Sequence, residues 1–216
     1  MPDNKQLGEI DMSIGFEQFQ MQDRPTTPLV SFSPPKPIVI VGLMGCGKSS
    51  IGKRLAKRFD IPFYDSDQEV EAAAGCSIVD IDDIFGDGAM ESGEYRVINR
   101  LLAPPVKVIA TGCFSFMNSQ VRESIMQNSI SVWLKANLDT LYQRVIGRKD
   151  RPMLNDGNER ETIKEMMEEH YPVLEQANIT VNTYDESTNI TVDRVIIAIS
   201  EYIRQNYPDY RILKSV

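Results

Sequence analysis

The chain has 216 residues, 42% of them hydrophobic, and a formal net charge of −8, enough for one domain of about 150 to 200 residues plus a tail. The negative balance excludes nucleic acid as a main partner, because a phosphate-backbone binder presents a basic face. No apolar run reaches the roughly 18 to 20 residues of a membrane span, and the N-terminus lacks a basic-then-apolar signal pattern, so the expected location is the cytoplasm.

Three cysteines without CxxC spacing (Cys46, Cys76, Cys113) and a single histidine, His170, suggest neither a disulfide framework nor a zinc site, and argue against a Ser-His-Asp hydrolase. Residues 1–37 end in the Pro-dense "RPTTPLVSFSPPKP". They read as a flexible extension, with docking to a partner as the alternative. From Ile38 the texture changes. Buried strands are predicted at "IVIVG" (38–42), "PFYDSD" (62–67), "VKVIAT" (106–111), "ISVWL" (130–134) and "ITVN" (179–182). Helical patterns fall at about 48–59, 92–102, 118–128, 138–147, 159–169 and 190–205. This alternation predicts an α/β fold with a parallel sheet covered on both faces. It forms one domain over 38–206, followed by a short tail over 207–216.

The strongest signal is "GLMGCGKS", Gly42 to Ser49, between the first strand and the first helix. GxxxxGKS in that setting turns backbone N–H groups and a helix N-terminus toward phosphate oxygens. Lys48 offers a charge for the β- and γ-phosphates, and Ser49 a hydroxyl for Mg²⁺. Cys46 occupies a variable position of the loop and reads as a small filler. At the end of the second strand, Asp65 and Asp67 stand two residues apart, which in extended chain puts both carboxylates on one side. One suits water-mediated orientation of Mg²⁺, the other an acceptor hydroxyl. The alternative is a pair of caps for a helix starting near residue 68. Later, "RKDRPML" (148–154) is basic and loop-like, as a lid over a triphosphate requires, or a solvated loop.

Together "GLMGCGKSSIGKRLAKRF", "PFYDSDQEVE", "AAAGCSI", "RVINRLL", "IATG", "SVWLKANLDTL", "DRPML" and "YPV…EQANITV" resemble the shikimate kinase family of proteobacterial type, from about Ile38 to near residue 205. The resemblance implies a P-loop NTPase fold of the nucleoside-monophosphate-kinase-like kind: a three-layer sandwich with a parallel sheet, a lid and a small substrate-binding subdomain. It implies a monomer that transfers the γ-phosphate of ATP to the 3-hydroxyl of shikimate with Mg²⁺, in aromatic amino acid biosynthesis. Gly45, Cys46, Gly47, Lys48, Ser49 and Ser50 match the phosphate loop, Ser49 the magnesium-bound hydroxyl, Arg151 the lid arginine, and Asp67 the carboxylate that meets the shikimate hydroxyls.

The acceptor half departs from that pattern. An ungapped alignment from Ser77 to Met117 puts Glu91 where the family has its shikimate-binding arginine, and Gly112-Cys113-Phe114 where it has GGG. His170 stands for the arginine before "YP". Arg96 and Arg100 lie roughly 140° and 180° around the helix from Glu91 and do not replace it. A carboxylate about 4 Å from an arginine gains something like 4 kcal/mol at an effective dielectric near 20 and loses a comparable amount against a glutamate. Even a heavily discounted swing of about 4 kcal/mol is roughly a thousandfold in binding. Weak or lost activity on shikimate is therefore expected. Two alternatives stay open: a non-catalytic ATP-binding module, and a kinase for a neutral or cationic hydroxylated acceptor. Singly, Glu91 and His170 also read as solvated residues, and Cys113 and Phe114 as core filling.

Overall fold

In the computed structural model, residues 32–146 and 158–210 are described. Five strands, β1 (Ile38–Val41), β2 (Phe63–Asp65), β3 (Val108–Ala110), β4 (Ile130–Ala136) and β5 (Ile179–Thr183), form one sheet in the order β2-β3-β1-β4-β5. Every pairing is parallel. All residues of β1 and β3 are buried. Successive side chains of a strand point to opposite faces, so both faces of the sheet centre are covered, as the continuous apolar runs require. The α/β P-loop architecture read from the sequence is the one observed.

The helices are α1 (Lys48–Phe59), α2 (Ser66–Ala74), α3 (Ile81–Phe85), α4 (Ala89–Leu102), α5 (Ser119–Asn128), α6 (Leu138–Val145), α7 (Glu159–Leu174) and α8 (Thr188–Asn206). A 3-10 turn over Ile78–Asp80 precedes α3. The stripe Ile51, Leu55, Ala56 and Phe59 buries α1, which packs on β3 and α8. Register pairs Asp65 with Ala110 and Val41 with Trp133, so the loops after β1, β2 and β3 open at one edge of the sheet. Ligands of open α/β sheets bind at that carboxyl edge.

Three differences from the sequence reading have physical causes. First, the packed unit reaches past both expected boundaries. Phe32 is buried and meets the Phe59 ring edge-on at 5.4 Å, and the Tyr210 hydroxyl donates to the Ser33 carbonyl. Pro-rich composition conceals a single aromatic anchor. Second, α7 continues through Pro172 to Leu174 instead of ending near 169. Proline in a helix interior costs about 3 kcal/mol. Here Leu174 is fully buried, Tyr171 lies edge-on to Trp133 at 4.9 Å, and its hydroxyl donates to the Ala136 carbonyl. Third, α3 and its 3-10 turn are too short to show a helical period.

Phe32→Ala should lower stability by about 3 kcal/mol, read as a shift of the urea midpoint. A change below about 0.5 kcal/mol would be the size of a surface substitution and would return residues 32–37 to the extension.

Candidate active site

The phosphate loop runs from Gly42 into α1. Gly47, the residue before the helix, has φ 101°, a left-handed value that favours glycine, and no side chain caps the helix. No acidic residue stands in the first turn of α1, so its amide groups and dipole meet no competing carboxylate of their own turn. The Lys48 ammonium donates to the Gly42 carbonyl at 2.7 Å and the Leu43 carbonyl at 3.2 Å, which holds it within the ring of the loop. Cys46 is buried, and burial pushes its thiol above the ordinary cysteine range although Lys48 opposes the shift. It is a packing residue and not a reactive thiolate.

Ser49 Oγ donates to Asp65 Oδ2 at 2.7 Å. Asp65 is also the N-cap of α2, its Oδ1 accepting from the Asp67 amide at 3.3 Å. The extended-chain premise for the Asp pair is thereby corrected: α2 starts at Ser66, so Asp67 sits in its first turn. Capping and site geometry coexist, because the cap turns the helix start toward the cavity that Asp65 and Asp67 both line. That cavity of about 590 Å³ also takes in Lys48, Ser49 and Ser50. Hard oxygen donors from Ser49 and Asp65 fit Mg²⁺, which uses one or two protein ligands and completes its shell with phosphate and water oxygens.

The acceptor positions separate. Gly112 packs so closely that a Cβ added there would lie 2.5 Å from Asp67 Oδ1 and 3.0 Å from Ser115 Oγ, so a larger residue would displace the Asp67 carboxylate. Its amide donates to Ser66 Oγ at 3.0 Å. Cys113 lines the cavity. Phe114 is 40% exposed, which sets aside the core-filling reading for it. Glu91 is exposed in the first turn of α4 and does not line the cavity. Water screens it there, so a penalty of about 4 kcal/mol, set for a 4 Å contact, does not apply at full size. His170, read singly as a solvated residue, is instead buried, and burial pulls its imidazole below the ordinary range against the opposing charge of Glu169. Arg151 and the lid segment lie outside the described residues.

Arg144 was not read from the sequence, and Glu94 was read there only by its place three residues after Glu91 in the aligned motif, without a role. Arg144, in the last turn of α6, lines the cavity and donates to the carbonyls of Gly45 and Cys46 at 3.4 Å and to that of Tyr184 at 2.6 Å. Its place just before a basic loop is the signal that could have marked it. Glu94 is 7% exposed and accepts from Ser115 Oγ at 2.5 Å. Burial pushes its carboxyl above the usual range, and the charges of Asp67 and Glu91 add to the shift while the Ser115 bond opposes it.

A parallel sheet of order β2-β3-β1-β4-β5 with a GxxxxGKS loop between β1 and α1 defines a P-loop nucleotide-binding α/β protein. The comparisons narrow the class. The profile of the family described as "Shikimate kinase" matches residues 44–200. A shikimate kinase of Paramagnetospirillum magneticum is 44% identical over 82% of this chain and 90% of its own length. One of Bartonella quintana is 42% identical over 81% of this chain and 83% of its own. Among solved structures, the Acinetobacter baumannii shikimate kinase in complex with shikimate aligns with a TM-score of 0.72 and 27% identity over 79% of this chain and 95% of its own. The Aquifex aeolicus enzyme aligns at 0.67 and 26% over 76% and 96%. The chain belongs to the shikimate kinase family, whose members are kinase phosphotransferases.

The buried carboxyl gives a pH prediction. A folded-state value raised above the unfolded one, about 4.3, makes the wild type lose stability as pH rises from there to the folded-state value of Glu94. Glu94→Gln keeps an acceptor for Ser115 and cannot ionise, so it should overtake the wild type across that window and hold its lead above it. Urea melts between pH 4 and 8 measure this, and parallel curves would contradict it.

Proposed function

We propose that this protein transfers the γ-phosphoryl group of ATP to a hydroxylated small molecule, with Lys48, Ser49, Asp67 and Arg151 carrying the reaction and Asp65 orienting Mg²⁺. The observation that supports this most directly is one cavity lined by Lys48, Ser49, Asp65 and Asp67. Lys48 and the loop amides hold the triphosphate and stabilise charge that grows on the transferring oxygens. Asp67 takes the acceptor proton as the acceptor oxygen forms its bond to the γ-phosphorus and the bond to the β,γ-bridging oxygen breaks, releasing ADP. When bound, Mg²⁺ would neutralise phosphate charge beside Ser49 and Asp65.

For the acceptor, we infer weak activity on shikimate and a preference for a neutral or cationic polyol. The cations among the described residues that line the cavity are Lys48 and Arg144, both against the phosphate loop. The acceptor end offers Asp67, Thr111 and Cys113. The relatives' activity supports the reaction class, and the departure at Cys113, which lines the cavity, supports the narrower reading.

Product analysis with ATP, Mg²⁺ and a panel of shikimate, neutral polyols and aminated polyols tests this. Transfer to at least one uncharged or aminated acceptor should exceed transfer to shikimate. Formation of 3-phosphoshikimate at about 1 to 100 s⁻¹, the ordinary kinase range, would overturn the acceptor reading, and tight ATP binding without transfer to any compound would favour a binding module. Lys48→Ala should cut any transfer by about 10²- to 10³-fold. Asp67→Asn should cut it by about 10²- to 10⁴-fold with ATP affinity nearly unchanged.

A further inference from the structure

The strand order places the two ends of the catalytic cavity on opposite sides of the phosphate loop. Asp65 and Asp67 stand at the end of β2 and Cys113 follows β3, whereas Asp185 and Glu186 follow β5. In the order β2-β3-β1-β4-β5 the phosphate loop, which follows β1, lies between them. In-line transfer keeps the acceptor oxygen and the leaving oxygen on opposite sides of the γ-phosphorus. With an acceptor at Asp67, the rest of the donor nucleotide extends to the β5 side, where Asp185, Glu186, Thr188 and Thr191 line the cavity.

Two arginines hold the chain between β5 and α8. Arg144 Nη2 donates to the Tyr184 carbonyl at 2.6 Å. From within α8, Arg194 donates to Glu186 through both terminal nitrogens, at 2.8 and 3.0 Å, and to the Asn182 carbonyl at 2.7 Å. Its guanidinium also lies over the Tyr184 ring, 5.2 Å from the centroid. Thr191 is buried and donates its hydroxyl to Glu186 Oε1 at 2.8 Å. Ser187, the N-cap of α8, makes no side-chain capping bond, and the side-chain tie between loop and helix runs through Glu186 instead. A two-pronged arginine–carboxylate contact fixes geometry as well as distance. Three hydrogen bonds engage both Glu186 oxygens, and Asp185, next to this anchor, lines the cavity.

We propose that Glu186 and Arg194 are positioning residues for the donor: their paired contact fixes the loop after β5 where it meets the nucleoside half of ATP. The inference rests on the function proposed above for the use of ATP and for the place of the acceptor. Neither side chain holds a phosphate, a task that falls to Lys48 and the amides of the phosphate loop. Without the pair, Asp185 and the start of α8 lose one fixed placement, and a ligand that needs them must order the loop as it binds. A ligand that ends at the phosphates bears no such cost. The loss is therefore selective for a donor that carries a nucleoside, whereas general damage to the fold is not.

Calorimetry on the full-length protein with Mg²⁺ compares ATP with inorganic tripolyphosphate, which keeps the phosphates and lacks the nucleoside. The wild type should bind ATP the more tightly of the two. Glu186→Gln keeps the shape and an acceptor for Thr191 but drops the charge. This variant and Arg194→Gln should each weaken ATP by about fivefold or more, roughly 1 kcal/mol, and leave tripolyphosphate within about twofold. The double variant should be no weaker than the worse single one, because the pair acts as a unit. Unchanged ATP affinity in both single variants would overturn the inference, as would an equal loss for tripolyphosphate or losses that multiply in the double variant. Equal wild-type affinity for the two ligands would overturn it too, since nothing would then read the nucleoside. A wild type that binds neither ligand would instead sink the ATP-dependent reaction proposed above.

Discussion

The bond from Ser49 to Asp65 organises this site because it joins strands that are not neighbours. Ser49 follows β1 and Asp65 ends β2, while β3 lies between them. A 2.7 Å contact across the end of β3 fixes where the chain must leave that strand, and Thr111 and Gly112 emerge beneath it. A side chain at Gly112 would push the Asp67 carboxylate aside, since Asp67 Oδ1 occupies the space a Cβ would need. The phosphate loop, the carboxylate pair and the loop after β3 are thus one packed arrangement. A shift in any of the three is felt by the other two, as in any close-packed interior.

Acidic side chains gather beside the loop after β3. Asp67 and Glu94 are close enough there for the charge of one to act on the carboxyl of the other. Close carboxylates in a partly buried region cannot all ionise freely. The structure answers by burying one of them under a serine hydroxyl and raising its proton affinity.

The strands and the phosphate loop were legible in the sequence because their signals are local. Apolar runs of four to seven residues and a GxxxxGKS string carry their own meaning. Asp65 and Asp67 were found for a partly mistaken reason, since the chain is already helical at Ser66. His170 and Phe114 show the limit. Alignment marked both positions as altered, but nothing local says that residues 56 positions apart touch, or that the histidine is the buried partner. The contacts of Glu94 and Arg144 escaped for the same reason: they are made with Ser115 and with the loop carbonyls, which only the fold brings near. Phe32 was hidden by its prolines.

Arg144 has an electrostatic consequence for the donor side. A trans peptide unit is planar, so its N–H points opposite to its carbonyl. The carbonyl of Cys46 turns toward the Arg144 guanidinium, which directs the Gly47 amide of the same unit the other way. A cation on the carbonyl side also polarises that unit and strengthens its N–H as a donor. Arg144 is therefore a fixed counter-charge on the carbonyl side of the loop that aligns the loop's dipoles.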